Sequence, residues 1–166
     1  MAHILTETQA AYIAGFLDAD GSIITQIVSR KDYVLKFQIR VSVIFIQKIS
    51  RKHFFLQLQE EIGKGTLRDR KDGIAELALV GSNTVLPFLR QIQPYLRLKR
   101  KQANLTIQLI EQLTLTKNDP QKFLELCIIA DRVSSLNDSK NRLITSKTVK
   151  DMFQDLGLIQ ITRESP

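Results

Sequence analysis

Between Val34 and Phe45 the chain alternates: Leu35, Phe37, Ile39, Val41, Val43 and Phe45 are apolar, and Lys36, Gln38, Arg40 and Ser42 fall between them. A strict period of two marks a strand with one face on a core and the other in solvent. Ile23 to Arg30 reads as its hairpin partner, with Gln26 and Arg30 on the polar face. The connection near Lys31-Asp32 lacks an Asn-Gly signal, so a loop longer than a two-residue turn is expected. A second hairpin follows as strands Thr66 to Arg70 and Ile74 to Val80 around Lys71-Asp72-Gly73. There Leu67, Ala75, Leu77 and Leu79 face inward, and Arg68, Arg70 and Glu76 face outward.

The period then lengthens to that of helices. The first helix follows Thr6, whose partner Gln9 stands at capping-box spacing, and stops at Gly21. Others are expected from Ser50, as N-cap, to Ile62 before Gly63, from Ser82 to Ile92, and from Arg97 to Leu113. Two more run from Asp119 to Leu136, with Asp119 as N-cap and Pro120 in the first turn, and from Ser146 to Leu156. The order is αββαββα with extra C-terminal helices, an α+β chain in which the αββ unit occurs twice. Its 166 residues make one domain, with a core over about 7–136 and a helical extension over about 137–166.

The segment Ile13 to Gly21, Ile-Ala-Gly-Phe-Leu-Asp-Ala-Asp-Gly, is electrostatically odd. Asp18 and Asp20 sit in the last turn of a helix, beside its unpaired carbonyls and negative dipole end. That placement costs stability unless a cation is meant to sit there, and a hard divalent ion held by a carboxylate and a backbone carbonyl would answer it. A calcium loop of the EF-hand kind is excluded by spacing, since Phe16 would occupy its first ligand position. Ala11, Ala14, Gly15 and Ala19 are small, and Ala11, Gly15 and Asp18 fall near one face. A glycine inside a helix costs roughly 1 kcal/mol against alanine. Close packing on the chain's own core would explain it, but the adjacent acids favour a helix–helix contact that brings acids to a shared centre.

Composition narrows the partners. Net charge is +7 and the sequence pI is near 9.7, in the range of nucleic-acid binders. The single cysteine, Cys127, excludes an internal disulfide and reads as a buried thiol. With His3 and His53 it leaves too few soft ligands for zinc. No run approaches the roughly 20 apolar residues of a membrane span. Early acids (Glu7, Asp18, Asp20) argue against a transit peptide. A soluble chain, with no membrane or small-molecule partner, is expected.

The nine-residue segment closely resembles the signature of the LAGLIDADG homing endonucleases, through Ala14, Gly15, Asp18, Ala19, Asp20 and Gly21. The resemblance extends to Gln47-Lys48 with Arg51, to Leu98-Lys99-Arg100-Lys101-Gln102-Ala103-Asn104, and to Leu136-Asn137-Asp138-Ser139-Lys140, so nearly the whole chain is similar to the short single-motif members of organellar introns. It implies a curved four-stranded antiparallel sheet as DNA-binding face and metal-dependent cutting of both strands in intron homing. Location in a chloroplast or mitochondrion is implied by resemblance alone. It further implies that Asp20, with the carbonyl of Ala19, ligates Mg2+ (Mn2+ as a substitute), while Gln47, Arg51 and Lys99 line a polar pocket. Asp18 takes a structural role at the helix end. The residues themselves reveal no general base.

Since Asp-Ala-Asp-Gly occurs once, a centre with two such acids needs two chains, a C2 homodimer meeting at Ala11, Ala14, Gly15 and Asp18. A two-stranded ribbon can enter the major groove. A strand of this length spans roughly 40 Å, on the order of eleven base pairs, so two chains would read a near-palindrome of just over about twenty. Gln26, Arg30, Gln38, Arg40, Ser42, Arg68, Arg70 and Glu76 are the candidate base readers, with Val28 and Ile44 against thymine methyls and Tyr33 the one exposed aromatic near the ribbon. Lys48, Ser139 and Lys140 fit phosphate contacts. The competing readings are a maturase or repressor on the same scaffold, and a generic RNA binder.

Overall fold

The computed structural model describes residues 3–116, 118–138 and 142–161. Helix α1 (Glu7–Asp20) runs directly into β1 (Gly21–Ser29), which pairs with β2 (Phe37–Lys48). Helix α2 (Lys52–Ile62) leads to β3 (Thr66–Asp69) and β4 (Ile74–Val80). Helices α3 (Ser82–Ile92), α4 (Arg100–Thr116), α5 (Pro120–Ser135) and α6 (Ser146–Asp155) complete the order. The sheet is antiparallel throughout, in the order β1-β2-β4-β3. This is the expected αββαββα arrangement with C-terminal helices.

All helices share one side. Ile23, Ile27, Phe37, Ile39, Val41, Val43, Phe45, Leu77 and Leu79 form one buried cluster with Ile13, Leu17, Phe55, Phe88, Leu89 and Leu109. Phe16 stacks on Phe45 at 5.7 Å and meets Phe54 edge-on at 5.2 Å, so it packs inward. The other sheet face is left uncovered by the described residues. The β1–β2 register sets Gln26 opposite Arg40 and Val28 opposite Gln38, on one surface with Ile24, Ser42 and Ile44.

Several boundaries depart from the sequence pattern for identifiable reasons. β2 begins at Phe37 because residues 30–36 form a closed loop, with the Arg30 N–H donating to the Lys36 carbonyl and Lys36 at φ 63°. Leu35 is still buried. Ser50 does not cap α2; a 3-10 turn over Ile49–Arg51 precedes it, and no side chain caps it. Gly63 ends that helix in the left-handed region, φ 72°. Gly21 ends α1 in extended backbone, so freedom of φ is not why it is glycine. A Cβ there would come within 2.3 Å of the Leu17 side chain and 3.0 Å of its Cα. The tight step from helix to strand needs the missing side chain.

Candidate active site and nucleic-acid face

The capping box forms as expected, with the Gln9 N–H donating to Thr6 Oγ1 and the Thr6 N–H to Gln9 Oε1. It fixes the start of α1, and the turn at Gly21 fixes its end. The two acids of the last turn then go different ways. Asp18 turns toward the segment before α4, where its carboxylate accepts from the backbone N–H groups of Arg97 (2.8 Å) and Lys99 (2.9 Å). Lys99 Nζ donates to the Asp18 carbonyl at 2.6 Å. Desolvation raises the Asp18 pKa, but the backbone donors of Arg97, Lys99 and Leu98, with the Lys99 charge, outweigh it and leave the carboxyl below its usual value. The opening bond of α4 runs from the Ala103 N–H to the Lys99 carbonyl, so the helix begins at Arg100 rather than Arg97, with the Asp18 contacts just ahead of it.

Asp20 is exposed, and among the described residues no cation pairs with its carboxylate. Gln47 Nε2 donates to Asp20 Oδ2 at 3.0 Å, while Gln47 Oε1 accepts from Arg51 Nη1 at 2.8 Å and from the Lys48 N–H at 3.3 Å. Arg51 thus holds the amide in the orientation that offers its NH2 to the acid. Asp20, Gln47 and Arg51 form one network; Lys99 joins α1 through Asp18, one residue from Ala19. Among the described residues no group of three or more His, Cys, Asp and Glu converges. A metal at Asp20 and the Ala19 carbonyl would therefore find no cluster of further carboxylates, imidazoles or thiolates among the described residues. The donor set, hard oxygens at a helix C-terminus, suits a hard divalent cation.

The outward stripe of α1 consists of Ala11, Tyr12, Gly15 and Ala19, all exposed. A Cβ built on Gly15 meets nothing within 4 Å, so the chain's own core does not account for that glycine. Ala14 is corrected: it is 0 % exposed, packed with Ala10, Ile13 and Leu17 in the core, and cannot touch a partner. Asp18 is only half-buried, but its polar atoms are committed within the chain.

The uncovered sheet face carries Gln26, Val28, Arg30, Gln38, Arg40, Ser42, Ile44 and Lys48, as the alternation implied. Arg30 Nε and Nη2 pair with Asp32 at 3.0 and 2.8 Å, Nη1 donates to Gln38 Oε1 at 2.9 Å, and the guanidinium lies 4.5 Å from the centre of the Tyr33 ring. Glu76 lies on this face but is 5 % exposed, because Arg68 pairs with it at 2.8 Å and Arg70 approaches at 3.8 Å. Its carboxylate holds those arginines instead of pointing free. Ser139 and Lys140 lie outside the described residues. Ile24, Ile46 and Val80, the last 61 % exposed, also lie on this face, and the same alternation along their strands would have found them.

A basic open sheet flanked by an acid-bearing helix end belongs to the class of α+β proteins that act on nucleic-acid backbones. The LAGLIDADG endonuclease family model matches residues 13–106, and two relatives match nearly end to end. The chain is 44 % identical over 147 residues to the DNA endonuclease I-CvuI of Chlorella vulgaris (89 % of this chain, 91 % of that one) and 44 % over 146 to I-CreI of Chlamydomonas reinhardtii (88 % and 89 %). The chain belongs to the LAGLIDADG endonuclease family. A crystal structure of I-CvuI with its DNA target in the presence of calcium superposes with a TM-score of 0.88 at 42 % identity, covering 93 % of this chain and 98 % of that one. The archaeal intron-encoded endonuclease I-Vdi141I, complexed with DNA, shares the fold at 0.80 and 15 % identity, covering 92 % and 98 %.

Proposed function

We propose that the chain is a homodimeric, metal-dependent endonuclease that hydrolyses both strands of a long, near-palindromic DNA site and promotes intron homing. The observation that carries the reading is Asp20: an exposed carboxylate at a helix C-terminus, oriented by a neutral amide and unpaired with any cation among the described residues, beside a small-residue stripe with open space at Gly15. Two α1 helices meeting across a two-fold axis would bring two such acids together between two sheet faces.

Asp20 and the Ala19 carbonyl would hold Mg2+, with Mn2+ as a substitute. When bound, such an ion supplies charge against the phosphate oxygens and acidifies water. Gln47 fixes the Asp20 rotamer. Arg51 fixes Gln47 and keeps further N–H donors for phosphate. Lys99, tied to the Asp18 carbonyl, places an ammonium beside the same turn. These donors are set before substrate arrives, so their orientation costs nothing at the moment of reaction. The sheet face supplies base readout and Lys48 a phosphate contact. The algal sources of the relatives agree with an organellar gene.

The test incubates purified protein with a randomised DNA library in magnesium and in EDTA, and sequences cut ends. Magnesium-dependent double-strand cuts at one near-palindrome are expected, and Asp20→Asn should abolish cutting while binding persists. Wild-type cutting rates in Asp20→Asn would remove Asp20 from the mechanism. Specific binding without cutting by the wild type would make the chain a binding protein on this scaffold.

A further inference from the structure

The tripeptide Arg-Lys-Asp occurs at both hairpin turns, as Arg30-Lys31-Asp32 and Arg70-Lys71-Asp72. The local structures match. Each arginine is the first residue of a turn: its carbonyl accepts from the residue three further on (Tyr33 N–H at 3.1 Å, Gly73 N–H at 3.3 Å), and its own N–H donates to the returning strand (Lys36 and Ile74 carbonyls, both 2.8 Å). In each, the aspartate two residues on folds back to pair with the guanidinium at 2.8 Å. In each, a residue of the returning strand approaches the same guanidinium, Gln38 on β2 at 2.9 Å and Glu76 on β4 at 3.8 Å. The turns lie at opposite ends of β2. Residues 70–74 meet the Lys48 end, beside Gln47 and Arg51, and residues 30–36 close the far end.

Such pairs are poorly suited to gripping phosphate. A carboxylate held against each guanidinium cancels its charge toward the backbone, and exposed pairs add little to stability. What the pairing does is orient a planar fork of N–H groups. Arg30 commits Nε, one Nη2 hydrogen and one Nη1 hydrogen to Asp32 and Gln38, which leaves one N–H on each terminal nitrogen. Guanine offers two adjacent acceptors in the major groove, N7 and O6, and cytosine offers an amino donor that a carboxylate can take.

We propose that Asp32 and Asp72 are positioning residues for specificity. They hold Arg30 and Arg70 so that each hairpin turn reads the guanine of one G·C pair, the β3–β4 turn near the scissile centre and the β1–β2 turn toward the outer end of each half-site. This deepens the proposed DNA-cutting function and rests on it.

The experiment takes the full-length protein, selects its preferred duplex from a randomised library, and measures affinity for every single-base variant of that site. Wild type, Asp32→Asn and Asp72→Asn are compared, with thermal melting and affinity for an unrelated duplex as controls. The wild-type site should carry guanine at one outer and one inner position per half-site. Asp32→Asn should reduce discrimination at the outer guanine by about tenfold and leave the inner one unchanged, and Asp72→Asn the reverse. Affinity for unrelated DNA should hold or rise, because a negative charge has been removed. The proposal is overturned by a preferred site without guanine at those positions, by unchanged discrimination in both variants, or by uniform weakening on all sequences. A library from which no site is enriched would instead sink the DNA-cutting reading itself.

Discussion

Gly15→Ala should stabilise the single chain and weaken its dimer. In the helix interior alanine is favoured over glycine by about 1 kcal/mol. Gly15 is exposed mid-helix, and the added Cβ would find nothing within 4 Å, so the chain alone should collect that gain. If α1 packs on its symmetry mate through Ala11, Gly15 and Ala19, each new methyl enters a contact built without it. Overpacking costs typically 1–3 kcal/mol per site. A two-fold axis doubles it, to at least about 2 kcal/mol per dimer, or about thirtyfold in dissociation constant. Sedimentation equilibrium over a dilution series measures the dissociation constant, and melting of the fully dissociated protein measures the chain. An unchanged dissociation constant would refute the contact, because then nothing approaches Gly15 from outside. A lower melting point for the dissociated chain would instead show that the open space beside Gly15 is filled by the chain itself.

Asp18→Ala should cost about 1 kcal/mol in denaturant unfolding, since it removes the acceptor of the Arg97 and Lys99 backbone N–H groups, which water only partly replaces, whereas Asp20→Asn should shift the same midpoint negligibly. Equal effects from the two substitutions would contradict the division of roles between them. Cys127 is 0 % exposed and its thiol is pushed up to about 12, first by burial and then by the Asp131 charge. Its alkylation near pH 8 should therefore follow global unfolding and slow in proportion to stability. Rapid native-state labelling would show that the α5 core opens locally.

How far the sequence carried the fold can be read element by element. The alternation from Leu35 to Phe45 assigned the side chains of β2 from Phe37 to Phe45 to their correct face, because a strand's period leaves only two choices. It misplaced the start of the strand because residues 30–36 close on themselves by backbone bonds, with Lys36 at positive φ, and side-chain alternation does not register those bonds. The segment ahead of α4 is held by Asp18, 79 and 81 residues earlier in the chain, and no local pattern encodes those contacts. Ala14 was misassigned because small residues mark a close contact without saying on which side. Its spacing from Ala10 and Leu17, both buried, was the better guide. Glu76 was legible as outward-facing but not as covered, because its partner Arg68 is set opposite it only by the β3–β4 register.

The last turn of α1 shows how one helix end can carry two acids. The negative end of the dipole and two carboxylates together should be destabilising. Asp18 is compensated within the chain by two backbone donors and by an ammonium on its carbonyl. Asp20, two residues on and rotated around the helix, receives one neutral hydrogen bond and remains in water, where an exposed carboxylate costs little. A purely structural pair of acids would not be divided this way, because a basic residue in place of Asp20 would suit the dipole better. The strain of keeping an acid there is small in a single chain. It grows when a second Asp20 is brought close across a dimer, since like charges in a partly desolvated cleft repel. A divalent cation relieves that repulsion in proportion to how closely the two acids approach. Dimerisation should therefore tighten in magnesium for the wild-type chain, and Asp20→Asn should lose that dependence while remaining a dimer.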